Sequence, residues 1–341
     1  MLAIARCASP VTPAPLPFPA LTAVLKAAGE ATRLRLLMLI AEAELTVSDL
    51  TAILRQSQPR LSRHLRLLAE AGLVERHREG SWAFFRLGER GSAADIARAS
   101  IARLDASDPI IARDRERLTA VRAARAAAAQ NYFRRHAAEW DRIRKLHVAD
   151  AAVEEAIRAA LGQAPIRSLL DLGTGTGRML ELFGGNVERG LGLDLSLDML
   201  ALARARLDRA SLKNCSVRHA DIYDLALPRD SFDVVIIHQV LHFLDDSARA
   251  IREAARVLRP GGRLLVVDFA PHDLEFLRDE HAHRRLGFAG ETVTQWLEAA
   301  GLGVFRQQTL PPGPEGRIAV SLWLGRDPRI ALAAPATREV A

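Results

Sequence analysis

The chain carries two different patterns of apolar and polar positions, one in each half. Residues 20–92 place apolar side chains at helical spacing and then alternate them over two short segments, which predicts helices followed by a β-hairpin. Beyond residue 167, short apolar runs alternate with helical segments, which predicts a doubly wound, seven-stranded α/β sheet. The predicted strands are 168–172, 189–195, 216–219, 232–238, 263–269, 303–310 and 317–324.

The first half predicts two short helices joined by a tight turn. Thr46, with Asp49 three residues later, predicts a capped helix, and Ser57 is predicted to cap the next one. A basic hairpin over 73–87 follows. This order is typical of a winged helix-turn-helix, in which the start of the second helix reaches the bases of double-stranded DNA. The predicted DNA-binding residues are Ser57, Gln58, Arg60, Ser62, Arg63, His64, Arg76 and Arg78.

The positive charge of the chain belongs to its first half. Residues 1–135 contain 21 basic and 13 acidic residues, whereas the remainder contains 26 basic and 28 acidic residues. Such an asymmetry suits a polyanionic partner of the first half. Arginine is abundant throughout, so a small helical domain with solvated arginines is the alternative interpretation. The complete order of helices and hairpin favours DNA binding over this alternative.

A buried strand followed by alternating glycines is the most specific pattern of the second half. The apolar run reaches Asp171, and three glycines then let a ligand approach the backbone: Gly173, Gly175 and Gly177. Asp194 ends the next predicted strand, at the spacing where an acid meets a ribose diol. Asp221 and Ile222 follow the third strand, where a carboxylate can accept from an adenine amino group, and His238 ends the fourth. A dinucleotide site is the weaker alternative, because it requires G-x-G-x-x-G.

Candidate general bases lie near the predicted strand ends, namely His238, His242 and Asp268. His242 has the alternative of capping the next helix or packing on a neighbouring ring. Beyond Asp268, three histidines (His272, His281 and His283) can ligate a metal together with Asp273 and Glu280, or hold an anionic methyl acceptor together with Arg284 and Arg285. A solvated, polar helix face is the third interpretation. The preferred interpretation includes no metal. Few aromatic residues mark this region, which disfavours a large flat substrate.

Three segments of the first half closely resemble the ArsR family of bacterial repressors: 30–35, 57–65 and 70–74. The resemblance covers about residues 20–92 and implies a homodimer that binds a palindromic operator. Many members of that family sense metals through cysteines in the helix before the turn. The matching segment, 44–50, has no thiol, so metal sensing there is not expected.

The second half resembles class I S-adenosylmethionine-dependent methyltransferases of the ubiquinone-biosynthesis and small-molecule type, over about residues 130–325. The resemblance implies S-adenosylmethionine as cofactor and a small-molecule methyl acceptor as partner. It implies that Met199 packs on adenine, and that an N-terminal lid containing Tyr132, Trp140 and neighbouring residues closes over the donor. The implied cofactor-binding residues are Tyr132, Trp140, Asp171, Gly173, Gly175, Gly177, Asp194, Leu195, Met199, Asp221, Ile222 and His238.

The predicted organisation has five parts. They are a disordered Pro-rich leader (1–19), the winged helix-turn-helix (20–92), a helical dimerisation or linker segment (93–129) broken near Asp108 and Pro109, the methyltransferase domain (130–325) and a flexible tail (326–341). No apolar run is long enough for a membrane span, and no signal peptide is recognisable. Only Cys7 and Cys215 carry thiols, which favours the cytoplasm.

Three hypotheses of function follow from this organisation. The first is an ArsR-type transcriptional regulator whose DNA binding responds to the methyl donor or its product. The second is an active small-molecule methyltransferase whose DNA-binding half controls its own expression independently of catalysis. The third is a sheet that only senses the donor. Donor binding and turnover require the same glycines and acids, so the motifs alone do not separate the three.

Overall fold

The computed structural model describes residues 15–79, 82–88, 91–137, 140, 150–312 and 318–329. The chain divides into two compact units, Met1–Arg125 and Ala126–Ala341. Several predicted features lie outside the described residues: leader residues 1–14, the hairpin tip at Gly80 and Ser81, the lid positions Ala138, Glu139 and Asp141, and tail residues 330–341. Within the described ranges, no helix is both long and apolar enough to cross a bilayer.

The first unit contains the predicted helices and hairpin. Its elements are α1 (Phe18–Ala28), α2 (Ala31–Glu42), β1 (Leu45–Thr46), α3 (Val47–Leu54), α4 (Gln58–Glu70), β2 (Val74–Glu79), β3 (Trp82–Leu87), α5 (Ser92–Ile101) and the start of α6 (Pro109–His136). Strand β3 pairs antiparallel with both β1 and β2. Helix α6 begins at Pro109, which confirms the predicted break, and it continues past Arg125, so it contributes residues to both units.

Local interactions explain why the helix-turn-helix forms. The Thr46 hydroxyl accepts from the Asp49 N–H at 3.2 Å, and the Asp49 carboxylate accepts from the Thr46 N–H at 2.8 Å, as predicted for a capped α3. Helix α3 ends at Arg55, which is left-handed with φ 53°. Three leucines of α4 at helical spacing are fully buried: Leu61, Leu65 and Leu68. Each contributes about 1.5–3 kcal/mol to folding, and the opposite face of α4 stays polar.

The second unit is a seven-stranded sheet with helices on both faces. Its elements after α6 are α7 (Asp150–Leu161), β4 (Ile166–Leu172), α8 (Arg178–Phe183), β5 (Val187–Asp194), α9 (Leu197–Arg209), β6 (Cys215–His219), β7 (Phe232–His238), α10 (Ser247–Arg256), β8 (Leu258–Phe269), α11 (Phe276–His281), α12 (Gly290–Ala299), β9 (Gly303–Leu310) and β10 (Val320–Arg326). A 3-10 turn, Leu241–Phe243, follows β7.

The strand order is β6-β5-β4-β7-β8-β10-β9. Strands β4 to β8 are parallel, and β10 runs antiparallel between β8 and β9. The chain order reverses direction at β4, so the carboxyl ends of β4 and β7 flank the crevice where ligands of such sheets bind. Two apolar clusters cover the two faces of the sheet. The predicted Rossmann-like α/β fold is confirmed.

The structure corrects four local predictions. Phe18 and Pro19 are helical, so the predicted leader ends too late. The last strand is Val320–Arg326 and not 317–324, whose first residue lies outside the described part. The predicted flexible tail starts too early, because Arg329 donates to Asp230 at 2.7 Å. Ser57 occupies the N-cap position of α4, but its side chain makes no capping hydrogen bond to that helix.

Candidate functional site

The alternating glycines form a tight turn at the carboxyl end of β4. All three have positive φ: Gly173, Gly175 and Gly177. The N–H groups of Gly173 and Thr174 donate to the Leu193 carbonyl of β5 at 2.8 and 2.9 Å. A Cβ on Gly173 would lie 2.5 Å from the Val240 side chain, so a larger residue would displace the loop after β7. Asp171 is buried and accepts from the Thr174 hydroxyl at 2.6 Å, which places it behind the turn.

Asp194 closes this turn from the neighbouring strand. Its Oδ2 accepts from the Gly175 N–H and its Oδ1 from the Ser196 N–H, both at 2.8 Å. Burial raises the pKa of the Asp194 carboxyl despite these donors. The side chain is only partly covered, and each carboxylate oxygen has a second lone pair. The carboxylate can therefore accept further hydrogen bonds from ligand hydroxyl groups.

The structure brings the other predicted donor residues to the same edge of the sheet. Leu195 follows β5 with 37% of its surface exposed, and the exposed Asp221 and partly buried Ile222 follow β6. Met199 lies one turn into α9 and is only 2% exposed. As placed, Leu195 offers an apolar ligand much more surface than Met199 does.

Aromatic residues from the end of α6 lie beside the turn. The Phe133 ring is 4.8 Å from that of Phe243 and 5.3 Å from that of Trp140, between ring centroids. The Trp140 Nε1 lies 3.7 Å from the position that a Cβ would take on Gly175. Tyr132 is buried, which raises the pKa of its hydroxyl to about 12. The structure therefore places both described lid residues, Tyr132 and Trp140, in this unit, with Trp140 against the glycine turn.

Two of the candidate bases form a buried pair. His242 Nδ1 lies 2.7 Å from Asp268 Oδ1, and the His242 N–H donates to Asp268 Oδ2 at 3.4 Å. Both side chains are almost fully buried. His238 ends β7, four residues before His242. A carboxylate on Nδ1 fixes the ring orientation and leaves Nε2 as the nitrogen that can accept a proton. The His242 ring also packs on Phe243, with 4.0 Å between centroids, as the alternative interpretation expected.

The polar face of α4 is largely exposed. The predicted DNA-binding residues that are exposed are Ser57, Gln58, Arg60, Ser62, Arg63, Arg76 and Arg78. His64 differs, because it is partly buried and its Nδ1 lies 3.5 Å from Glu30 Oε2. Burial and the charges of nearby arginines lower the pKa of His64. The ring of His64 therefore lies beside Glu30, directly before α2, and its contact with DNA stays a prediction.

Comparison with known proteins finds a family match for both segments. Residues 170–266 match the methyltransferase domain family, and residues 30–76 match the bacterial regulatory protein family arsR. The chain joins an ArsR-family segment to a methyltransferase domain. S-adenosylmethionine is accordingly the cofactor of the methyltransferase domain, and the dinucleotide alternative falls away.

Curated relatives match the methyltransferase domain. A probable S-adenosylmethionine-dependent methyltransferase of Mycolicibacterium smegmatis is 37% identical over 41% of this chain and 55% of its own length. The ubiquinone/menaquinone biosynthesis C-methyltransferase UbiE of Vibrio parahaemolyticus is 34% identical over 40% of this chain and 56% of its own. An arsenite methyltransferase of Aquipseudomonas alcaligenes is 38% identical over 35% of this chain and 34% of its own. The chain spans between a third and just over half of the length of these relatives.

Among solved structures, an S-adenosylmethionine-dependent methyltransferase from Aquifex aeolicus is similar with a TM-score of 0.43 and 21% identity. The match covers 51% of this chain and 89% of that one.

The methyltransferase domain has groups that fit its cofactor. The exposed backbone of the glycine turn suits close approach of a ligand, and the carboxylate of Asp194 suits the two ribose hydroxyls. The exposed side chain of Leu195 supplies an apolar surface of the kind that an adenine ring packs against. These three features lie within the first residues after β4 and β5, at the crevice of the sheet.

The three histidines beyond β8 of the methyltransferase domain separate into two environments. His281 Nδ1 lies 2.7 Å from the Tyr132 hydroxyl, whereas the His283 ring is 4.3 Å from that of His242. Arg284 is buried and forms an ion pair with Asp245, so its side chain has a partner within the domain. Among the described residues, no group of three or more His, Cys, Asp or Glu side chains is arranged to hold a metal ion.

The aromatic rings around His242 are not among the site residues that the sequence predicts. The centroids of Phe243 and Phe269 lie 4.0 and 4.6 Å from that of His242, and Phe133 packs on Phe243. The expectation that few aromatics line this region is wrong. A signal was present, because each phenylalanine directly follows a candidate base, His242 or Asp268.

The methyltransferase domain is expected to lose stability as the pH falls from about 6.5 toward 4, in part through His272. Burial and the electrostatic effects of His242 and Arg278 lower the pKa of His272 from 6.5 to about 4, against the opposing effect of Asp273 and Asp268. A histidine with a depressed folded-state pKa stabilises fully above its unfolded pKa and loses that contribution as the pH falls through the folded value. Melting temperature against pH tests this. The His272→Gln variant should show a shallower fall, and an identical fall would contradict it.

Proposed function

We propose that the protein is an ArsR-type transcriptional regulator whose DNA binding responds to S-adenosylmethionine or its demethylated product, and whose methyltransferase domain methylates a small molecule. The observation that carries the regulatory part is helix α6, a 28-residue helix that contributes residues to both units. A ligand changes DNA binding only if it binds the DNA-competent and DNA-incompetent states with different affinities. Among the described elements, helix α6 contributes residues to both units and so offers such a difference a direct route.

Within the first unit, α6 is fastened to α2 and α3. Asp114 is fully buried and accepts two hydrogen bonds from Arg35 of α2, at 2.6 and 2.7 Å. Arg117 donates to a backbone carbonyl of α3 at 3.1 Å. Arg125 forms an ion pair with Asp49, whose carboxylate caps α3. A displacement of α6 would therefore act on the helix that precedes the DNA-reading helix α4.

Within the second unit, the last turns of α6 supply lid residues of the donor site. Phe133 packs on Phe243, the residue after the base His242. The Tyr132 hydroxyl contacts His281 at 2.7 Å. A cofactor that contacts these lid residues would favour one position of this helix end. This supports a response of α6 to the cofactor.

The residues of the domain suggest how methyl transfer would proceed. S-adenosylmethionine supplies an electrophilic methyl group on a sulfonium, so the protein has chiefly to position the two reactants. The glycine turn and Asp194 would hold the donor, and Leu195 and Ile222 would contact its base. Asp268 orients His242 through Nδ1, and His242 Nε2 would take the proton of an acceptor hydroxyl or amine.

An enzyme that works independently of its DNA-binding half is the second candidate. The buried His242–Asp268 pair favours it, because a domain that only senses the donor has no use for an oriented base. In that case the first unit would control expression of the gene without responding to the cofactor. The same pair argues against the sensor-only hypothesis.

Arsenite is not the acceptor that these residues suit. Arsenic in this form prefers thiolate ligands, and the chain has only two cysteines, Cys7 and Cys215. Cys215 lies at the start of β6, where its sulfur faces Gly184 and Gly190, and burial raises the pKa of its thiol. A small organic acceptor with a hydroxyl or amine agrees better with the His242–Asp268 pair.

A homodimer on a palindromic operator, in the cytoplasm, completes the proposal. The ArsR family match supports DNA as the partner. Helix α1 exposes three apolar side chains at helical spacing, Phe18 at 83%, Leu21 at 36% and Leu25 at 53%. In α5, by contrast, Ala94 and Ala97 are fully buried within the first unit. A dimer contact is therefore better supported for the exposed stripe of α1 than for α5, which begins the predicted dimerisation or linker segment 93–129.

Replacing Asp194 with Ala is expected to weaken donor binding by about 1.5–3 kcal/mol, because it removes a charged acceptor of ligand hydroxyl groups. The test of the proposed function measures binding to a DNA duplex selected from a random pool, with and without S-adenosylmethionine and S-adenosylhomocysteine. Wild type should change its DNA affinity with either compound, and Asp194→Ala should need a much higher concentration for the same change.

Asp198→Ala is the matched control, since this exposed acid lies on the first turn of α9. An equal donor affinity in Asp194→Ala and wild type would refute the role of Asp194. A DNA affinity that neither compound changes would refute the regulatory proposal and leave the independent enzyme.

Replacing Arg63 with Ala is expected to weaken binding to the selected duplex and to lower the slope of log affinity against log salt by about 1 if the residue contacts phosphate. Arg63 is exposed on α4. Fluorescence anisotropy at several salt concentrations measures both quantities. Arg209→Ala, an exposed arginine of α9, should bind DNA as wild type does. Unchanged affinity and slope in Arg63→Ala would mean that α4 does not face DNA through this residue.

A further inference from the structure

Gln239 is a buried polar residue in a strained position directly after β7. Its φ is +55°, a region that non-glycine residues rarely occupy, and its side chain is only 6% exposed. Its backbone N–H donates to the Val267 carbonyl of β8 at 2.7 Å. The side-chain Nε2 is buried and has no hydrogen-bond partner within the described part of the chain. A buried donor without a partner destabilises the folded state, so its retention points to a ligand.

His272 supplies a second donor of the same kind, on the loop after β8. Its Nδ1 accepts from the Leu274 N–H at 3.3 Å, so the hydrogen of the neutral ring lies on Nε2. That Nε2 is buried and, among the described residues, has no hydrogen-bond partner. His242 and Asp268 both act electrostatically on His272, which places it near the proposed base. Gln239 follows β7 and His272 follows the neighbouring parallel strand β8. In the sequence, the proposed base His242 lies between these two donors.

Ring-shaped side chains surround this part of the domain. The His283 ring stacks on that of Phe269, with an angle of 10° between planes and 5.6 Å between centroids, and it lies 4.3 Å from the His242 ring. The Phe269 ring is also 6.0 Å from that of His272. Flat side chains of this kind favour a small planar molecule.

We propose that Gln239 and His272 donate hydrogen bonds to a carboxylate or carbonyl oxygen of the methyl acceptor. The acceptor is then a small planar hydroxy acid or hydroxy carbonyl compound, whose hydroxyl group faces His242. This rests on the proposed methyltransferase function. It adds the class of the methyl acceptor. His272 Nε2 carries a hydrogen and is therefore a donor, so it binds the lone pair of an oxygen and not an ammonium group. The site is accordingly expected to prefer compounds with a carboxylate or carbonyl oxygen over cationic amines.

Three probes of one shape test the proposal: salicylate, o-cresol and 2-hydroxybenzylamine. They carry a carboxylate, a methyl and an ammonium group next to the same phenol. Calorimetric titrations use the full chain saturated with S-adenosylhomocysteine. Salicylate is expected to bind wild type at least about tenfold more tightly than o-cresol, a difference of about 1.4 kcal/mol. Equal binding of the three probes, or preference for the amine, would overturn the proposal.

Variants then assign the preference to the two donors. Gln239→Met and His272→Phe should each reduce the preference for salicylate over o-cresol, and Gln239→Glu should shift it toward 2-hydroxybenzylamine. Variants that keep the wild-type preference would overturn the proposal. The melting temperature of ligand-free Gln239→Met should equal or exceed that of wild type, because no internal hydrogen bond is lost. A clear drop would show a structural role for the amide and would also overturn it.

The design separates the two levels of inference. Failure of wild type to bind S-adenosylhomocysteine would refute the proposed function itself. Normal binding of S-adenosylhomocysteine together with no preference among the three probes would refute only the assignment of Gln239 and His272.

Discussion

Methyl transfer is expected to fall by about 10²- to 10⁴-fold when His242 is replaced by Gln, the range that a general base contributes. The Nδ1 of His242 lies 2.7 Å from Asp268, and both groups are buried. Asp268 therefore fixes the ring and stabilises the positive charge that develops when Nε2 takes a proton. Glutamine keeps a polar side chain of similar length but cannot take that proton. The measurement is the initial rate of tritiated methyl transfer to the small hydroxy or amino compound that wild type methylates fastest.

Companion variants separate proton transfer from folding and donor binding. Asp268→Asn should lower the same rate, because an amide leaves the ring without its charged partner. Both variants should bind S-adenosylhomocysteine as wild type does, since neither residue is part of the glycine turn. His77→Gln, on the exposed strand β2 of the first unit, is the control. A rate for His242→Gln equal to that of wild type would remove this residue from the chemistry.

The effect of the donor on DNA binding is expected to disappear in Ala128→Pro, while each unit keeps its own ligand. Ala128 is exposed within α6, so its replacement removes no core contact. Proline costs about 3 kcal/mol inside a helix and interrupts it. Couplings between sites usually correspond to a factor of 5–150, so the wild-type DNA affinity should change at least about fivefold on donor binding. In the variant this ratio should return to about 1.

Ala128→Gln is the matched control, because glutamine at the same exposed position preserves the helix. Anisotropy with the selected duplex and calorimetry with S-adenosylmethionine show whether each unit still binds. A proline variant that retains the full response would exclude α6 as the connecting element. A response lost equally in the glutamine control would have the same consequence.

Local chemistry explains why much of the fold and site could be predicted. The Thr46–Asp49 spacing predicts a capping box because that motif closes within one helical turn. The glycine turn and Asp194 follow from strand ends that meet at one edge of a parallel sheet. The leucines of α4 recur at helical spacing and so bury one face of the helix, which leaves the arginines at the other positions exposed. In each case the deciding contacts join residues that are close in sequence, or strands whose direction is fixed by the topology.

The features that escaped prediction depend on contacts between residues distant in sequence. His64 turns toward Glu30 because α2 lies beside α4, which the pattern of α4 alone does not reveal. Helix α6 has a weak apolar stripe, and buried ion pairs such as Arg35–Asp114 fasten it to helices far away in the chain. Gln239 has a left-handed backbone, and its Nε2 has no hydrogen-bond partner among the described residues; the sequence around it indicates neither feature.

The position of β10 sets the order in which the protein can mature. Strand β10 lies between β8 and β9 and pairs Ser321 with Asp268. Until the ribosome has made residues 320–326, β8 remains an open sheet edge, and the strand that carries Asp268 lacks one neighbour. The helix-turn-helix ends at Glu70, 250 residues before the start of β10 at Val320. A nascent or C-terminally cleaved chain would therefore have helix α4 in place before, or without, a completed His242–Asp268 pair.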